Sequence, residues 1–480
     1  MLTKEIQEKI KNLKLKEFWG LRISSQFPFC HLPFVLDTYK GCNHWCTYCF
    51  SSANNLVNKA WNKDFFNSTS SIFNPKLLEK LLKWWEDIKA KDHKQLRNLI
   101  ENRVPLHIWG NSDPFSFFES KYEISYEILK LLKEYEYPFI LSTKSDTLAK
   151  ELYLSLLKEC KYKKIQVSLI SINKILNKLE PWTTVEKRLN LIKTLSENGI
   201  DVIVRLQPFI IWLSNKNLKG YVKKIKEIGA KAITLEFLKL TVFQNEGVKK
   251  LYNNISNILK YDIIEYYRNP KNARSTGSDF ELYPEKKIEY VKKLKRYCKE
   301  FWLELYLADN ELRSYGDWPI CCGIKEGEPW FEWVLGTNTS RALFIAKEKG
   351  EVSFFDIYKE EWDILLKSTL LNQWLNSGGK ARYAITKDKT FLWKFIKSWN
   401  DLSHKDNPAN FFYNLEPKKV DKYWFVVFKY LKNPQARTPE QEKKLKEKRK
   451  KFMNKYKNKI FLPSNEINWI EDYKKIKEAS

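Results

Sequence analysis

The stretch GCNHWCTYCF, residues 41–50, holds Cys42, Cys46 and Cys49, three of the eight cysteines of this 480-residue chain. The spacing C-x3-C-x2-C puts three soft sulfur ligands on one short segment, which suits a [4Fe–4S] cluster. Three protein ligands leave one iron free to bind a further molecule. A Cys3His zinc site that adds His44 is the alternative. Zinc sites usually pair two short motifs, and no second C-x2-C pair follows in this sequence. We therefore expect a cluster.

Short apolar runs alternate with amphipathic stretches around this segment, from about residue 30 to residue 310. The expected strands are FVLDTY (34–39), PLHIW (105–109), PFILST (138–143), KIQVSLI (164–170), DVIVRLQ (201–207) and AITLEF (232–237), with LELYLA (303–308) as a candidate seventh. This alternation predicts βαβ units and a parallel sheet. Six such units predict an α/β fold built on a partial (β/α)6 TIM-like barrel. In such a barrel the reactive groups lie on the loops that follow the strands.

The chain is expected to divide into four segments. They are an N-terminal helical segment (1–29), the barrel core (30–310), a mixed α/β appendage rich in Trp and Tyr (311–430) and a basic helical tail (431–480). Between positions 432 and 459 the tail has 12 basic and 3 acidic residues, a third of the net charge of +27. A solvated helix and an arm that binds polyanions both fit this charge run.

Composition excludes several classes of protein. A hydrophobic fraction of 43% and an aromatic fraction of 15% exclude a disordered or collagen-like chain. No apolar run is long enough to span a membrane, and the charged start does not resemble a signal peptide. We expect a cytoplasmic protein with reduced thiols. The net charge favours a nucleic-acid partner, although an AT-rich coding sequence produces the same excess of Lys over Arg.

The cysteine spacing, its place after the first expected strand and Tyr48 before the last cysteine resemble the radical S-adenosylmethionine (radical SAM) superfamily. The resemblance covers residues 30–310. It implies that Cys42, Cys46 and Cys49 bind the cluster and that SAM binds to the free iron. It also implies an electron donor, such as flavodoxin or ferredoxin, whose electron cleaves SAM to a 5′-deoxyadenosyl radical that abstracts hydrogen from a substrate.

The stretch WGNSDPFSFFES (109–120) is similar to an Asp-Pro form of the SAM-binding turn found in the spore photoproduct lyase-like branch, and departs from the superfamily's common Gly-Gly-Glu. The branch resemblance implies that Glu180 accepts hydrogen bonds from the SAM ribose and that Arg188 binds the SAM carboxylate. The full set of implied cofactor-binding residues is Tyr48, Gly110, Asn111, Ser112, Asp113, Ser142, Lys144, Ser168, Glu180, Arg188 and Gln207. An ordinary turn at 111–114 and a helix N-terminus at 183–186 account for parts of this set without a cofactor.

The remaining cysteines leave several interpretations open. Cys321 and Cys322 are adjacent, and Cys298 precedes them; they are expected to ligate an auxiliary cluster, to donate hydrogen atoms to a substrate radical, or to pack as small apolar residues. Cys321 and Cys322 are the candidate catalytic donors. Cys30 and Cys160 are expected to be structural. No cysteine lies between Cys49 and Cys160, where spore photoproduct lyase has its donor, and this disfavours that particular reaction.

The predicted function is a radical SAM enzyme that modifies or repairs a nucleic acid or nucleotide. The branch resemblance, the charge and the basic tail favour that substrate. The alternatives are a radical SAM enzyme acting on a peptide or small molecule, and a cluster-bearing nucleic-acid binding protein without turnover.

Overall fold

The structure is a computed structural model, and it describes residues 8, 16–18, 20–24, 29–58, 66–67, 69, 71–83, 96, 99–334, 339–358, 391–404, 406–432 and 439–462. The strands are β1 (Lys16–Phe18), β2 (Leu21–Ile23), β3 (Phe34–Leu36), β4 (Ser71–Phe73), β5 (Leu106–Ile108), β6 (Phe139–Thr143), β7 (Lys163–Ser168), β8 (Val202–Phe209), β9 (Ala232–Phe237), β10 (Leu240–Thr241), β11 (Ala273–Ser275), β12 (Asp279–Leu282), β13 (Glu304–Leu307), β14 (Glu351–Val352), β15 (Leu415–Val420) and β16 (Val426–Tyr430).

The α-helices are α1 (Phe50–Asn58), α2 (Pro75–Leu82), α3 (Glu119–Tyr122), α4 (Ile124–Glu134), α5 (Glu151–Glu159), α6 (Leu176–Leu179), α7 (Val185–Glu197), α8 (Leu218–Glu227), α9 (Glu246–Leu259), α10 (Ile263–Arg268), α11 (Pro284–Glu300), α12 (Thr339–Lys349), α13 (Phe391–Asn400), α14 (Pro408–Phe411) and α15 (Pro439–Lys455). Local sequence sets several of their ends. Thr184, for example, caps α7 by accepting the Lys187 amide at 3.2 Å.

The main sheet has eight strands in the order β13-β9-β8-β7-β6-β5-β3-β2. Every neighbouring pair is parallel except β2 with β3. All seven expected strands lie in this sheet, and the predicted partial TIM-like barrel is confirmed. The five residues of β6 are all buried, as expected for a strand covered on both faces.

The N-terminal segment differs from its prediction as a helical segment. β1 pairs in parallel with β4, and β2 pairs antiparallel with β3 at one edge of the main sheet. The helical prediction is therefore wrong for residues 16–18 and 21–23. Leu21 is fully buried, and its burial against the core overrides the helical charge pattern of the preceding residues.

A layer of hydrogen-bonded polar side chains crosses the lumen of the barrel. His107 of β5 lies 3.0 Å from the Ser142 hydroxyl of β6, which donates to Gln166 of β7 at 2.8 Å. Arg205 of β8 donates to the same hydroxyl at 2.8 Å. We call these four residues the polar layer. The four residues sit on neighbouring strands, and their side chains contact one another on one face of the sheet. Alternate residues of a strand point to the same side, and this face lines the lumen.

Residues 318–334, the floor segment, close the lumen on the amino-terminal side of the polar layer. Ile320, Cys322 and Ile324 of this segment pack with Ile140 of β6, two residues before Ser142. Its Glu328 also forms an ion pair with Lys164 of β7 at 2.7 Å. The predicted boundary after residue 310 therefore falls before a segment that packs inside the barrel.

The C-terminal part is mixed α/β, with a three-stranded antiparallel sheet in the order β14-β16-β15. Its buried Trp399 donates to the Val426 carbonyl at 2.8 Å, so this tryptophan is a core residue rather than an exposed stacking surface. The basic helix α15 is anchored by an ion pair from Glu442 to Arg274 and by Arg449, which donates to the Ala409 carbonyl. Within the described part of the chain, no helix combines the length and apolar character needed to cross a membrane.

Candidate active site

The cluster loop, residues 41–49, follows β3 at the carboxyl end of the barrel. Cys42, Cys46 and Cys49 are free thiols. Burial raises the pKa of all three, that of Cys42 to about 12, while the Lys144 ammonium acts in the opposite direction on Cys46. Cys49 precedes the N-terminus of α1, and the Ser52 amide donates to its sulfur at 3.4 Å. This helix end and Lys144 favour thiolates, the form that binds iron.

The zinc alternative requires His44 to join the three cysteines. Instead, the His44 ring lies 3.2 Å from the Asp113 carboxylate, outside hydrogen-bond geometry. Among the described residues, no three His, Cys, Asp or Glu side chains converge as ligands of one metal ion. A [4Fe–4S] cluster does not require the three thiols to converge on one ion, because each cysteine binds a different iron atom. The contact of His44 with Asp113 therefore does not support the Cys3His alternative.

Asp37, directly after β3, organises the turn that follows β5. Its Oδ1 accepts from the amides of Gly110 at 2.8 Å and Asn111 at 2.6 Å, and its Oδ2 accepts from the Asn111 side chain at 3.1 Å. Arg22 of β2 pairs with the same carboxylate. A Cβ at Gly110 would lie 2.7 Å from Asp37 Oδ1, so glycine permits this close approach. Gly110 and Asn111, both predicted SAM contacts, are therefore held next to β3, the strand that precedes the cluster loop.

Asp113 and Ser112, the other predicted residues of this turn, have internal partners. The Asp113 carboxylate accepts from Thr143 Oγ1 at 2.8 Å and from the amides of Lys144 at 2.7 Å and Phe115 at 2.9 Å. Burial would raise the pKa of Asp113, but His44 and the two amides outweigh it and lower the pKa. Ser112 donates to the Tyr39 carbonyl at 2.6 Å. Asp113 thus ties the turn to the end of β6, and its contact with SAM stays a prediction.

Lys144, Glu180 and Arg188 form a buried charged cluster beneath the cluster loop. Lys144 Nζ lies 3.1 Å from Glu180 Oε1 and 3.2 Å from the Tyr48 hydroxyl. Arg188 Nη1 lies 2.5 Å from Glu180 Oε2 and donates to the Ser168 carbonyl at 2.9 Å. Burial lowers the pKa of Lys144, opposed by the nearby Cys46 thiol. Five predicted residues therefore meet in one cluster, although the predicted ribose and carboxylate contacts stay predictions.

A family comparison adds to this geometry. Residues 36–211, from β3 to just beyond β8, match the family model described as the radical SAM superfamily. Residues 36–211 thus form a radical SAM domain. The cofactors of the chain are accordingly a [4Fe–4S] cluster and SAM, and it is an enzyme of the radical SAM type. No curated protein matches the sequence.

Two solved radical SAM structures resemble the chain distantly. A spore photoproduct lyase mutant with bound AdoMet and dinucleoside spore photoproduct is 12% identical, with a TM-score of 0.44 over 64% of this chain and 94% of that one. Streptococcus suis SuiB bound to S-adenosylmethionine is 12% identical, with a TM-score of 0.31 over 64% of this chain and 63% of that one. Similarity at these levels says nothing about this enzyme's substrate.

The residues around the radical SAM cluster loop fit both cofactors. Buried polar atoms without hydrogen-bond partners lie here on Thr47, Ser51, Ser168 and Nη2 of Arg188. Native proteins leave few such atoms without partners. A cofactor with an ammonium, a carboxylate and hydroxyl groups supplies both donors and acceptors to them. The three thiols on the same loop are the predicted iron ligands.

Ser142 and Gln207, two further predicted SAM contacts, both contact Arg205. Arg205 Nε donates to Gln207 Oε1 at 2.7 Å, and its guanidinium stacks 4.0 Å from the centre of the Trp109 ring. We did not predict Arg205 or Asp37. The sequence held one signal for each residue. Arg205 is the single charge in the apolar strand VIVRLQPF, and Asp37 is a carboxylate directly after the first barrel strand.

The remaining cysteines separate into two groups. Cys160, which was predicted to be structural, is buried, and its thiol donates to the Leu156 carbonyl at 3.3 Å. Cys298 is also buried in the core. Cys321 and Cys322 lie in the floor segment, with Cys30 beside them. This grouping of Cys30 was not predicted from the sequence. The donor role of Cys321 and Cys322 stays a prediction, and the polar layer lies between them and the carboxyl end of the barrel.

Proposed function

We propose that this radical SAM enzyme modifies or repairs a base in a nucleic acid or nucleotide, in the cytoplasm. A [4Fe–4S] cluster held by Cys42, Cys46 and Cys49 would supply one electron for the reductive cleavage of SAM to a 5′-deoxyadenosyl radical. The protein's own residues bind the cofactors, exclude water and hold the target C–H bond close to the radical carbon. A reductant of the flavodoxin or ferredoxin class is the proposed electron donor.

The observation that carries the proposal is a pair of exposed aromatic side chains beside the cluster loop. Phe117 is 61% exposed and Trp182 is 56% exposed, and their ring centres lie 6.5 Å apart. The Phe117 amide donates to Asn43 Oδ1 of the cluster loop at 2.9 Å. Exposed aromatic rings next to a reactive centre suit the stacking of unpaired or extruded bases.

Positive charge accompanies this aromatic pair. The exposed Lys174 and Lys178 lie in the same connection between β7 and α7 as Trp182. Lysines near a stacking surface attract a phosphate backbone. Helix α15 adds exposed lysines at 443, 444, 446, 450 and 451.

Lys144 has a supporting role in this proposal. Its ammonium lies between Glu180 and Tyr48, directly below the cluster loop. There it offsets the negative charge of the thiolates in a site of low dielectric constant. Glu180 and Arg188 in turn hold Lys144 in place.

The test is anaerobic incubation of the cluster-loaded enzyme with SAM and dithionite, alone and with single-stranded DNA, duplex DNA, RNA or peptides. A nucleic-acid substrate is expected to raise 5′-deoxyadenosine above the uncoupled level and to change mass. A response to peptides alone would overturn the substrate class. Binding without any SAM cleavage would favour a binding protein without turnover.

The aromatic pair is tested by Phe117→Ala with Trp182→Ala. Stacking contributes about 1–3 kcal/mol per base, so binding of single-stranded DNA or RNA should weaken at least about fivefold. Trp302→Ala is the matched control, because Trp302 is 87% exposed and lies just before β13, at the amino end of the barrel. Equal affinities of both variants and wild type would remove the support that the aromatic pair gives.

A further inference from the structure

Three cysteines from distant parts of the sequence line one small cavity at the amino end of the barrel. Cys30 precedes β3, whereas Cys321 and Cys322 belong to the floor segment. We call these three the floor cysteines. His31 and Arg313 line the same cavity. The sulfur atoms of Cys321 and Cys322 lie 4.0 Å apart. Cys30 and Cys321 are partly exposed, whereas Cys322 is buried.

The charges around the cavity distinguish the three thiols. A hydrogen bond from Cys322 lowers the pKa of Cys321 to about 6, and Arg313 and Arg205 act in the same direction. Burial raises the pKa of Cys30 to about 12. Arg313 is held in place by donating to the Phe29 carbonyl at 3.1 Å, one residue before Cys30. These contacts favour the thiolate on Cys321 over Cys30 and Cys322.

We propose that the floor cysteines are a thiol–disulfide exchange site, in which Cys321 is the nucleophile toward low-molecular-weight disulfides and Cys30 is the resolving thiol. Cys30 suits this role better than Cys322 on geometric grounds. Consecutive Cα atoms are about 3.8 Å apart, whereas the Cα atoms of a relaxed disulfide are about 4.4–6.8 Å apart. A disulfide between the adjacent Cys321 and Cys322 would therefore be strained.

The exchange balances in two steps. The Cys321 thiolate attacks one sulfur of the small disulfide, whose S–S bond breaks; a mixed disulfide forms, and one small thiolate leaves and takes up a proton. Cys30 then loses its proton and attacks the Cys321 sulfur. The second small thiol leaves, and a Cys30–Cys321 disulfide forms. Two protein thiols are oxidised, and one small disulfide is reduced to two thiols.

This site is separate from the radical SAM centre. The floor cysteines lie on the amino-terminal side of the polar layer, and the cluster loop lies at the carboxyl end of the strands. The disulfide would fasten the segment before β3 to the floor segment. The proposed disulfide does not depend on which substrate the enzyme modifies.

The test uses the full-length, cluster-loaded protein under anaerobic conditions. The protein is equilibrated with oxidised glutathione, quenched with N-ethylmaleimide, digested and analysed by mass spectrometry. The expected product is a peptide pair joined through Cys30 and Cys321. In Cys30→Ser the expected product is glutathione attached to Cys321, because the resolving thiol is absent. Cys298→Ser is the control, with unchanged cross-linking.

A second measurement does not depend on any variant. In wild-type protein at pH 7, N-ethylmaleimide should label Cys321 at least tenfold faster than Cys298. The labelling rate should reach half of its maximum near pH 6. Equal labelling of Cys321 and Cys298, or glutathione on Cys42, Cys46 or Cys49 with loss of cluster absorbance and none on Cys321, would overturn the proposal. A disulfide confined to Cys321 and Cys322 would also overturn it.

Discussion

The two ends of the barrel each hold three cysteines, but they are assembled in different ways. At the carboxyl end, Cys42, Cys46 and Cys49 lie on one loop, and all three have a pKa raised by burial. At the amino end, the floor cysteines come from two distant segments, and arginines surround Cys321. Cysteine side chains are therefore the predicted metal ligands at one end of the barrel and the proposed thiol-exchange groups at the other. The burial and the charges around the cysteines at each end distinguish these two roles.

The largest expected effect is at the carboxyl end. Cys46→Ala should remove most of the visible absorbance of the reconstituted enzyme and abolish 5′-deoxyadenosine formation, because one of three iron ligands is lost. Cys322→Ala at the amino end is the matched comparison, and it should retain the cluster absorbance. SAM cleavage at the wild-type rate by Cys46→Ala would contradict the ligand assignment.

The next largest effect is expected for the buried ion pair between Arg188 and Glu180, which lies at the carboxyl end of the barrel. Arg188→Met removes one of the two cationic partners of the fully buried Glu180 and leaves only Lys144. Breaking a buried pair costs about 3–5 kcal/mol, and we expect the lower end of that range because Lys144 remains. The midpoint of thermal unfolding is expected to fall by several degrees. Lys193→Met, which breaks an exposed pair with Glu197, should cost about 0–1 kcal/mol. Equal midpoints for the two variants would mean that the pair at 180 and 188 does not stabilise the fold.

A smaller effect is expected for Asp37→Asn, at a residue that we did not assign from the sequence and that holds the turn after β5. The variant keeps the shape of the side chain but weakens acceptance from Gly110 and Asn111, and hydrogen bonds to a charged group contribute about 1.5–3 kcal/mol. SAM affinity, measured by calorimetric titration, should fall about tenfold with the cluster retained. Asp201→Asn, at an exposed position, is the control. Unchanged affinity would mean that the turn does not need this carboxylate.

The smallest effect concerns α15. Lys443, Lys444, Lys450 and Lys451 are exposed, and their replacement by Gln leaves the anchoring contacts of Glu442 and Arg449 intact. If they contact phosphates, each loss should lower the slope of log affinity against log salt by about 0.7–0.9. Binding between 50 and 200 mM salt is the measurement. An unchanged slope would mean that these charges only face solvent.

The strands, the barrel and the cluster loop could be predicted because each depends on local sequence. Alternating apolar runs indicate strands, and three cysteines within eight residues indicate a cluster. Asp37, Arg205 and the grouping of Cys30 with Cys321 could not be predicted in this way, because they depend on which strand ends meet in space. The N-terminal strands were missed for a related reason, since β2 is stabilised by pairing with β3 rather than by its own pattern.

The floor segment also affects how the barrel folds during synthesis and where the chain can be truncated. Every strand of the main sheet precedes residue 308, yet Ile140 and Ile203 also pack in clusters with residues that follow residue 317. During synthesis the sheet can therefore assemble while one mouth of its lumen is still open and apolar. A fragment that ends at residue 310 would keep all eight strands and expose that mouth permanently. Such a fragment should aggregate, whereas one that ends at residue 334 retains the floor segment.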